Sequence, residues 1–386
     1  MSLQLSDIAA VLKEVVINDV FDQMSNINLL FQHVKSDSSM IDTNNNIYIP
    51  ARTGRHSGVY TVAEGDNPRT GKAKRQRMSS TMKYTFGSLE ITDQTLEAAK
   101  RADKKAVVAI LADEISSLVS TIEKSINRQW FGDGTGTLTL ANGAGSSTTA
   151  LVVDDTEYLA EGMYISIGGG PDIEISSINS DTSVTLATAD TWSDNDAVLA
   201  ENAAEMMGLS GIIDDGDNVA TFQGLARASN PWLNAYCDDT GEALTEADMI
   251  TAYNKARKYA KKGDKIVCFM GQTLFEKYGS LLTSMKRSRD LKEVLSGGWK
   301  GLDFMGGDCP VILDFDCPAT YCFFANLSVL RRVEMAKPFS WLEGEKDSIL
   351  TRSASNRTIW EATMKYYGNL ITTFPKAASR LSGKTA

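Results

Sequence analysis

Five basic side chains crowd into nine residues of this chain: Arg69, Lys72, Lys74, Arg75 and Arg77. Cations at this density can hold a phosphate backbone or an acidic protein surface. No aromatic residue is interleaved between Arg69 and Arg77 for base stacking, so a subunit-facing tip is the better reading and nucleic-acid binding the weaker one. Gly65 to Lys72 has the outline of a phosphate loop. Five residues separate Gly65 from Gly71, however, where that loop needs four, and Ala73 stands where it needs Ser or Thr.

Other chemistry is sparse. The only histidines are His33 and His56, so a Ser-His-Asp triad, a Cys-His dyad or a His-rich metal site would have to use one of these two. Gly132-Asp133-Gly134-Thr135-Gly136 follows a helical pattern rather than a strand and lacks dinucleotide-loop spacing. Asp154-Asp155 and Asp194-Asn195-Asp196 could collect calcium, yet no segment has the spaced ligands of an EF-hand loop, and turn chemistry accounts for them. Five cysteines, Cys237, Cys268, Cys309, Cys317 and Cys322, form no CxxC pair, and several lie in apolar runs where a thiol acts as a small hydrophobe. The sequence therefore assigns no catalytic, cofactor-binding or metal-ligating residue, and an enzyme is not expected.

The elements that would position the basic cluster are easier to read. A chain of 386 residues, 42% apolar and 23% charged, has material for two or three domains. It holds no basic-then-apolar leader and no run long enough to span a membrane; synthesis in a reducing cytoplasm is expected. The net charge of -10 is segregated: between Arg128 and Arg227 there is no Lys or Arg but sixteen Asp and Glu, leaving 39 basic against 33 acidic residues elsewhere. From Asp103 to Phe131, Val107, Val108, Leu111, Ile115, Leu118, Val119, Ile122, Ile126 and Trp130 recur at helical spacing, with Glu123, Asn127 and Arg128 on the polar face. At ~1.5 Å per residue this spine is on the order of 40 Å long, and the glycines from Gly132 end it.

Around the spine, Ser6 caps an expected helix through Val20. Ile47 to Ile49, Gly58 to Val62 and Thr81 to Ile91 read as strands of a two-stranded arm with too few large apolar residues to fold alone. The Lys-free segment from Thr137 to about Ala200 suggests five or six short strands in a small barrel or sandwich. A mixed α/β unit follows: a helix capped by Thr245 and Asp248 and ended by Gly263, a strand Lys265 to Met270, a helix Thr273 to Leu282, and strands Pro310 to Leu313 and Tyr321 to Phe324. A hairpin turning at Gly368-Asn369 into Leu370 to Phe374 closes the chain.

Four stretches carry a family resemblance in this order: Ile47 to Arg52 leading to Ala63-Glu64-Gly65; Phe86-Gly87-Ser88-Leu89-Glu90-Ile91-Thr92; Gly208-Leu209-Ser210-Gly211-Ile212-Ile213-Asp214-Asp215-Gly216; and Gly306-Gly307-Asp308-Cys309-Pro310-Val311 with the later Tyr367-Gly368-Asn369-Leu370. Together they resemble the major capsid protein of tailed bacteriophages, the HK-ninety-seven-type shell fold. The resemblance implies an α+β chain with an N-terminal arm and helix (1–46), an extended β-hairpin loop or E-loop (47–91), a peripheral domain with the spine helix (92–131), an acidic all-β insertion (132–204), a mixed α/β axial domain (205–326) and returning peripheral strands (327–386). It further implies self-assembly into hexamers and pentamers of an icosahedral virion capsid around double-stranded DNA, held without sequence-specific contact. Implied partners are a separate scaffolding protein, a portal and decoration proteins, with no cofactor and no membrane, and with assembly in the bacterial cytoplasm. The basic E-loop tip would meet acidic surface on a neighbouring subunit, and the acidic insertion would face away from DNA. A cellular nanocompartment shell, similar to encapsulin, is the alternative.

Overall fold

The structure, a computed structural model, describes residues 30, 33–42, 44–65, 67, 69–94, 104–203, 205–283, 293–294, 300–304, 308–342, 351–352 and 358–386. The expected first helix from Ser6 to Val20, the start of the spine at Asp103 and the pair Gly306-Gly307 lie outside these residues. The fold is mixed α+β. It divides into two compact units, Ser125–Gly211 and the rest of the chain on both sides of it.

β1 (Asn46–Arg52) and β2 (Arg75–Thr81) form an antiparallel pair, and β3 (Lys83–Thr92) follows directly. The spine is α1 (Lys104–Phe131), a helix of 28 residues. Its stripe buries Ile115, Val119, Ile122, Ile126 and Trp130. From Ile126 to Phe131 every residue of the helix is buried, and Glu123, Asn127 and Arg128, expected on a solvated face, are buried instead. In the last turns the cause lies in residues 205–208. The Met206 amide donates to Gln129 Oε1 (3.2 Å), Arg128 pairs with Glu205 and donates to the Thr137 carbonyl (2.9 Å), and Gly208 sits so close to the carbonyls of Gln129, Trp130 and Gly132 that a Cβ would fall within 2.3–2.6 Å of them. The helix ends as the glycines require, with the Gly132 amide donating back to Arg128 and with Gly134 and Gly136 at positive φ.

The segment after α1 is a six-stranded antiparallel sheet in the order β4 (Thr137–Leu140), β9 (Ala197–Ala200), β6 (Tyr164–Ile167), β7 (Asp172–Ser180), β8 (Ser183–Trp192), β5 (Gly145–Val152). Its two edges meet. Ala141 bridges Val153, the Asn142 amide donates to Val152 O and the Asp154 amide to Leu140 O, so the sheet closes into a small barrel with no free edge. Leu151, Ile165, Ile175, Val184, Leu186, Trp192 and Val198 fill it.

β10 (Thr221–Phe222) and β11 (Leu225–Ala226) form a short hairpin. The α/β part of the larger unit is a mixed seven-stranded sheet: β12 (Tyr236–Asp238), β21 (Ser379–Leu381), β17 (Cys322–Asn326), β13 (Ile266–Met270), β16 (Cys309–Leu313), β15 (Lys300–Phe304) and β14 (Glu293–Val294). Against it lie α2 (Glu246–Arg257), with a full capping box between Thr245 and Asp248, and α3 (Gln272–Thr283). Met249, Tyr253, Leu274, Val311 and Phe324 belong to the shared core. The remaining sheet is centred on β20 (Ile359–Thr372), flanked on one edge by β18 (Leu330–Trp341) and β19 (Thr351–Arg352) and on the other by β3.

Here the expected terminal hairpin is overturned. Gly368 and Asn369 do not turn; both are ladder residues of β20, paired with Glu334 and Val333. Gly368 answers a packing need instead, because a Cβ there would meet the Tyr366 hydroxyl at 2.5 Å. Gly58 to Val62, expected as a strand, joins no ladder.

Two buried ionic clusters hold the larger unit. Arg332 (2.7 Å), Tyr366 (2.8 Å) and Ser36 (3.0 Å) surround the Glu334 carboxylate, whose pKa burial raises while these partners oppose the shift. Asp214, fully buried, accepts from the amides of Gly216 and Val219 (both 3.0 Å) and faces Arg227 Nε (3.9 Å) and Arg380 (3.5 Å). Arg227 also donates to the carbonyls of Asp214 (2.6 Å), Leu233 (2.7 Å) and Ile212 (3.3 Å), and its guanidinium lies 4.6 Å from the Phe222 ring centre. Removing one partner of such a pair strands the other. Arg227→Met is expected to lower stability by roughly 3–5 kcal/mol in chemical denaturation; an unchanged midpoint would show that the backbone donors alone hold Asp214.

Glu123 on α1 is the opposite case: buried, with neither carboxylate oxygen hydrogen-bonded, and with its pKa pushed by burial from 4.5 up to about 7. The folded chain thus binds the proton more tightly than the unfolded chain. The resulting stability is complete below 4.5 and is lost as pH rises to about 7. Compared with Glu123→Gln, the native chain should lose stability across that window and level off above it, as read from denaturation midpoints on both sides; parallel profiles would exclude this titration.

Candidate subunit-contact surface

The basic cluster lies on the arm made by β1 and β2. Period-two alternation turns Ile47, Ile49, Ala51 and Met78 inward, where they are buried within the chain, so the base of the arm is anchored. Ladder pairing runs from Asn46↔Thr81 to Arg52↔Arg75. Beyond it the amides of Thr53 and Gly54 donate to the Lys74 carbonyl (2.9 and 3.2 Å), and Ser57 hydrogen-bonds with Lys72. Gly58 and Gly71 then approach so closely that a Cβ on Gly71 would lie 2.2 Å from the Gly58 amide nitrogen. Among the described residues between them no ladder forms.

Arg69, Lys72, Lys74, Arg75 and Arg77 are all exposed, so the structure brings the five together on one arm. Two aromatic side chains join them from the other side of the arm. The Arg77 guanidinium lies 4.3 Å from the Tyr48 ring centre and that of Arg69 lies 5.9 Å from Tyr60. The hairpin register, which sets Pro50 against Arg77 and Tyr48 against Ser79, supplies Tyr48; Tyr60 lies beyond the ladder. Val59 is 84% exposed and Tyr60 and Val62 are 39% and 43% exposed. The distal arm is therefore a mixed apolar and cationic surface, suited to an acidic partner with its own apolar centre.

The other sequence candidates resolve plainly. Gly65 has positive φ, but β2 rather than a helix follows Gly65 to Lys72, which removes the helix N-terminus that a phosphate loop needs. His56 Nδ1 accepts from the Gly58 amide (3.1 Å), and burial lowers the pKa of His33, helped by Lys265. The aspartates of the barrel serve its turns: Asp155 accepts from the Glu157 amide (2.7 Å), Asp194 from Gly143 (2.7 Å) and Asp196 from Ser193 (2.7 Å). Cys268 and Cys322 lie 3.3 Å apart, sulfur to sulfur, in the α/β core, where burial pushes the Cys268 thiol well above its usual range.

Asp214, Asp215 and Cys237 bring their ligand atoms within 4.8 Å of one another. The donor set does not suit a cation. Asp214 already faces two arginines and two amides, and burial pushes the Cys237 thiol up to about 12. Among the described residues no helix is long and apolar enough to cross a membrane.

A solved structure shares the fold of this chain. The capsid asymmetric unit of cyanophage A-1(L) matches 95% of this chain and 93% of its own at 13% identity, with a TM-score of 0.52. The capsid of a native GTA particle covers 94% of this chain and 91% of its own (8% identity, TM-score 0.49), and the holo-SrpI encapsulin complex of Synechococcus elongatus PCC 7942 covers 93% and 88% (8% identity, TM-score 0.46). No protein-family model and no curated protein sequence matches the chain. The chain thus has the shell fold of tailed-phage capsid proteins, the HK-ninety-seven-type fold, over nearly its whole length.

Proposed function

We propose that this chain is the structural subunit of a closed icosahedral shell, the major capsid protein of a tailed bacteriophage. The observation that carries the reading is the capsid fold spanning 95% of the chain. Copies would assemble in the bacterial cytoplasm into hexamers and pentamers around double-stranded DNA, with a separate scaffolding protein, a portal and decoration proteins as partners. In this reading 1–46 is the N-terminal arm, 47–91 the extended loop, 92–131 and 327–386 the peripheral domain, 132–204 the insertion and 205–326 the axial domain. The subunit has no catalytic role.

The arm supports the assignment physically. A ribbon with exposed Val59, Tyr60 and Val62 and five cations gains burial and charge pairing only by lying on another molecule. Repeated around a closed symmetry, many such modest contacts stabilise a shell that no single interface could hold. The barrel region, free of Lys and Arg, would be repelled by phosphate and is assigned to the outside.

Expression with and without a candidate scaffolding protein, followed by size-exclusion chromatography and negative-stain electron microscopy, tests the reading. Closed shells or capsomer rings are expected, and a monodisperse monomer under both conditions would overturn it. Shells that enclose protein cargo and no DNA would reassign the chain to a nanocompartment. Lys72→Glu with Lys74→Glu and Arg75→Glu should abolish shells while circular dichroism still reports a folded chain; normal shells would remove the arm from the interface.

A further inference from the structure

The barrel carries a surface complementary to the arm. Its closing seam turns Ala141 and Val153 inward, both fully buried, and by the same alternation turns Leu140 and Val152 outward, 37% and 45% exposed. Acidic residues rim this pair. The Asp154 amide is tied to Leu140 O, the Asp155 amide to Thr139 Oγ1, and the Thr156 amide to the carbonyl of Asp181. The side chains of Asp154, Asp155, Glu157 and Asp181 are exposed there. No Lys or Arg occurs between Arg128 and Arg227.

Resting on the shell reading above, we propose that the distal arm of one copy docks on this seam of the barrel of a second copy. Val59, Tyr60 and Val62 would cover Leu140 and Val152, while Arg69, Lys72, Lys74 and Arg75 would meet Asp154, Asp155, Glu157 and Asp181. Both surfaces have the same plan, an apolar centre with a charged rim, and their charges are opposite. The chain's other exposed aromatic face fits the arm less well. On the outer face of β3 and β20, Tyr84 and Phe86 pack edge-on against Tyr367, and Lys365 lies 5.3 Å over the Tyr367 ring, placing a cation where the arm would bring its own.

The test uses particles assembled from an equal mixture of isotopically light and heavy full-length chains, treated with a zero-length carbodiimide crosslinker and read by mass spectrometry. Mixed-isotope peptides joining Lys72 or Lys74 to Asp154, Asp155, Glu157 or Asp181 are expected. Leu140→Arg with Val152→Arg, at two exposed positions and with every rim carboxylate retained, should reduce those peptides by about tenfold or more, since like charges face each other across the contact. Shells in which the arm lysines join only other carboxylates, such as Glu90 or Glu361, or only carboxylates of their own copy, would overturn this docking and leave the shell reading intact. Undiminished crosslinks in the arginine variant would also overturn it. Failure to form any assembly would defeat the shell reading itself, and this inference with it.

Discussion

The larger unit depends on satisfying the backbone of one strand. β20 runs fourteen residues through the middle of its sheet, and a buried strand of that length needs partners for its amides and carbonyls along both edges. β3 supplies one edge from Ile359 to Gly368, and β18 and β19 supply the other. Because β3 continues directly from the arm, the strand that completes the sheet also fixes where the arm begins. Asn369 strengthens the link, donating from Nδ2 to the Thr81 carbonyl (2.7 Å) at the end of β2. The spine helix packs on the same sheet, close enough at Gly87 that a Cβ there would meet Ile122 at 2.6 Å.

Buried charge is treated in two ways. Where a carboxylate fastens distant segments it is surrounded by donors: Glu334 joins residues near Ser36 to β18 and β20, and Asp214 joins the stretch after Gly211 to Arg227 and to Arg380 on the last strand. Such clusters contribute less net stability than their geometry suggests, since desolvation offsets most of the attraction, but they penalise alternative pairings heavily. Glu123 has no such surroundings, and its burial appears in the raised pKa rather than in a structural tie.

Charge is also partitioned between the units. Apart from Arg128, which is spent on Glu205 and the Thr137 carbonyl, the barrel unit has no basic side chain, while the arm concentrates cations on a segment with little core of its own. Within one chain the barrel satisfies itself: its sheet closes, its core is filled and its aspartates cap its turns. The distal arm does not, and its exposed valines and tyrosine are the surface that an assembly would bury.

Most of this architecture could be read from local pattern. The helical period of α1, the glycines that stop it, the alternation of the barrel strands and the capping box at Thr245 are short-range signals, which the chain obeys wherever tertiary packing agrees with them. The five arm cations were likewise visible as a run. What linear order could not disclose is which residues lie opposite one another. Tyr48 reaches Arg77 only through the hairpin register, Glu123, Asn127 and Arg128 are buried by tertiary packing rather than left on a polar face, and Asp214 finds Arg227 and Arg380 from 13 and 166 positions away. Gly368-Asn369 shows the same division most clearly. By itself the dipeptide is a turn signal; with β18 and β3 hydrogen-bonded along its flanks and Tyr366 packed over the glycine, the extended backbone is lower in free energy and the strand runs on.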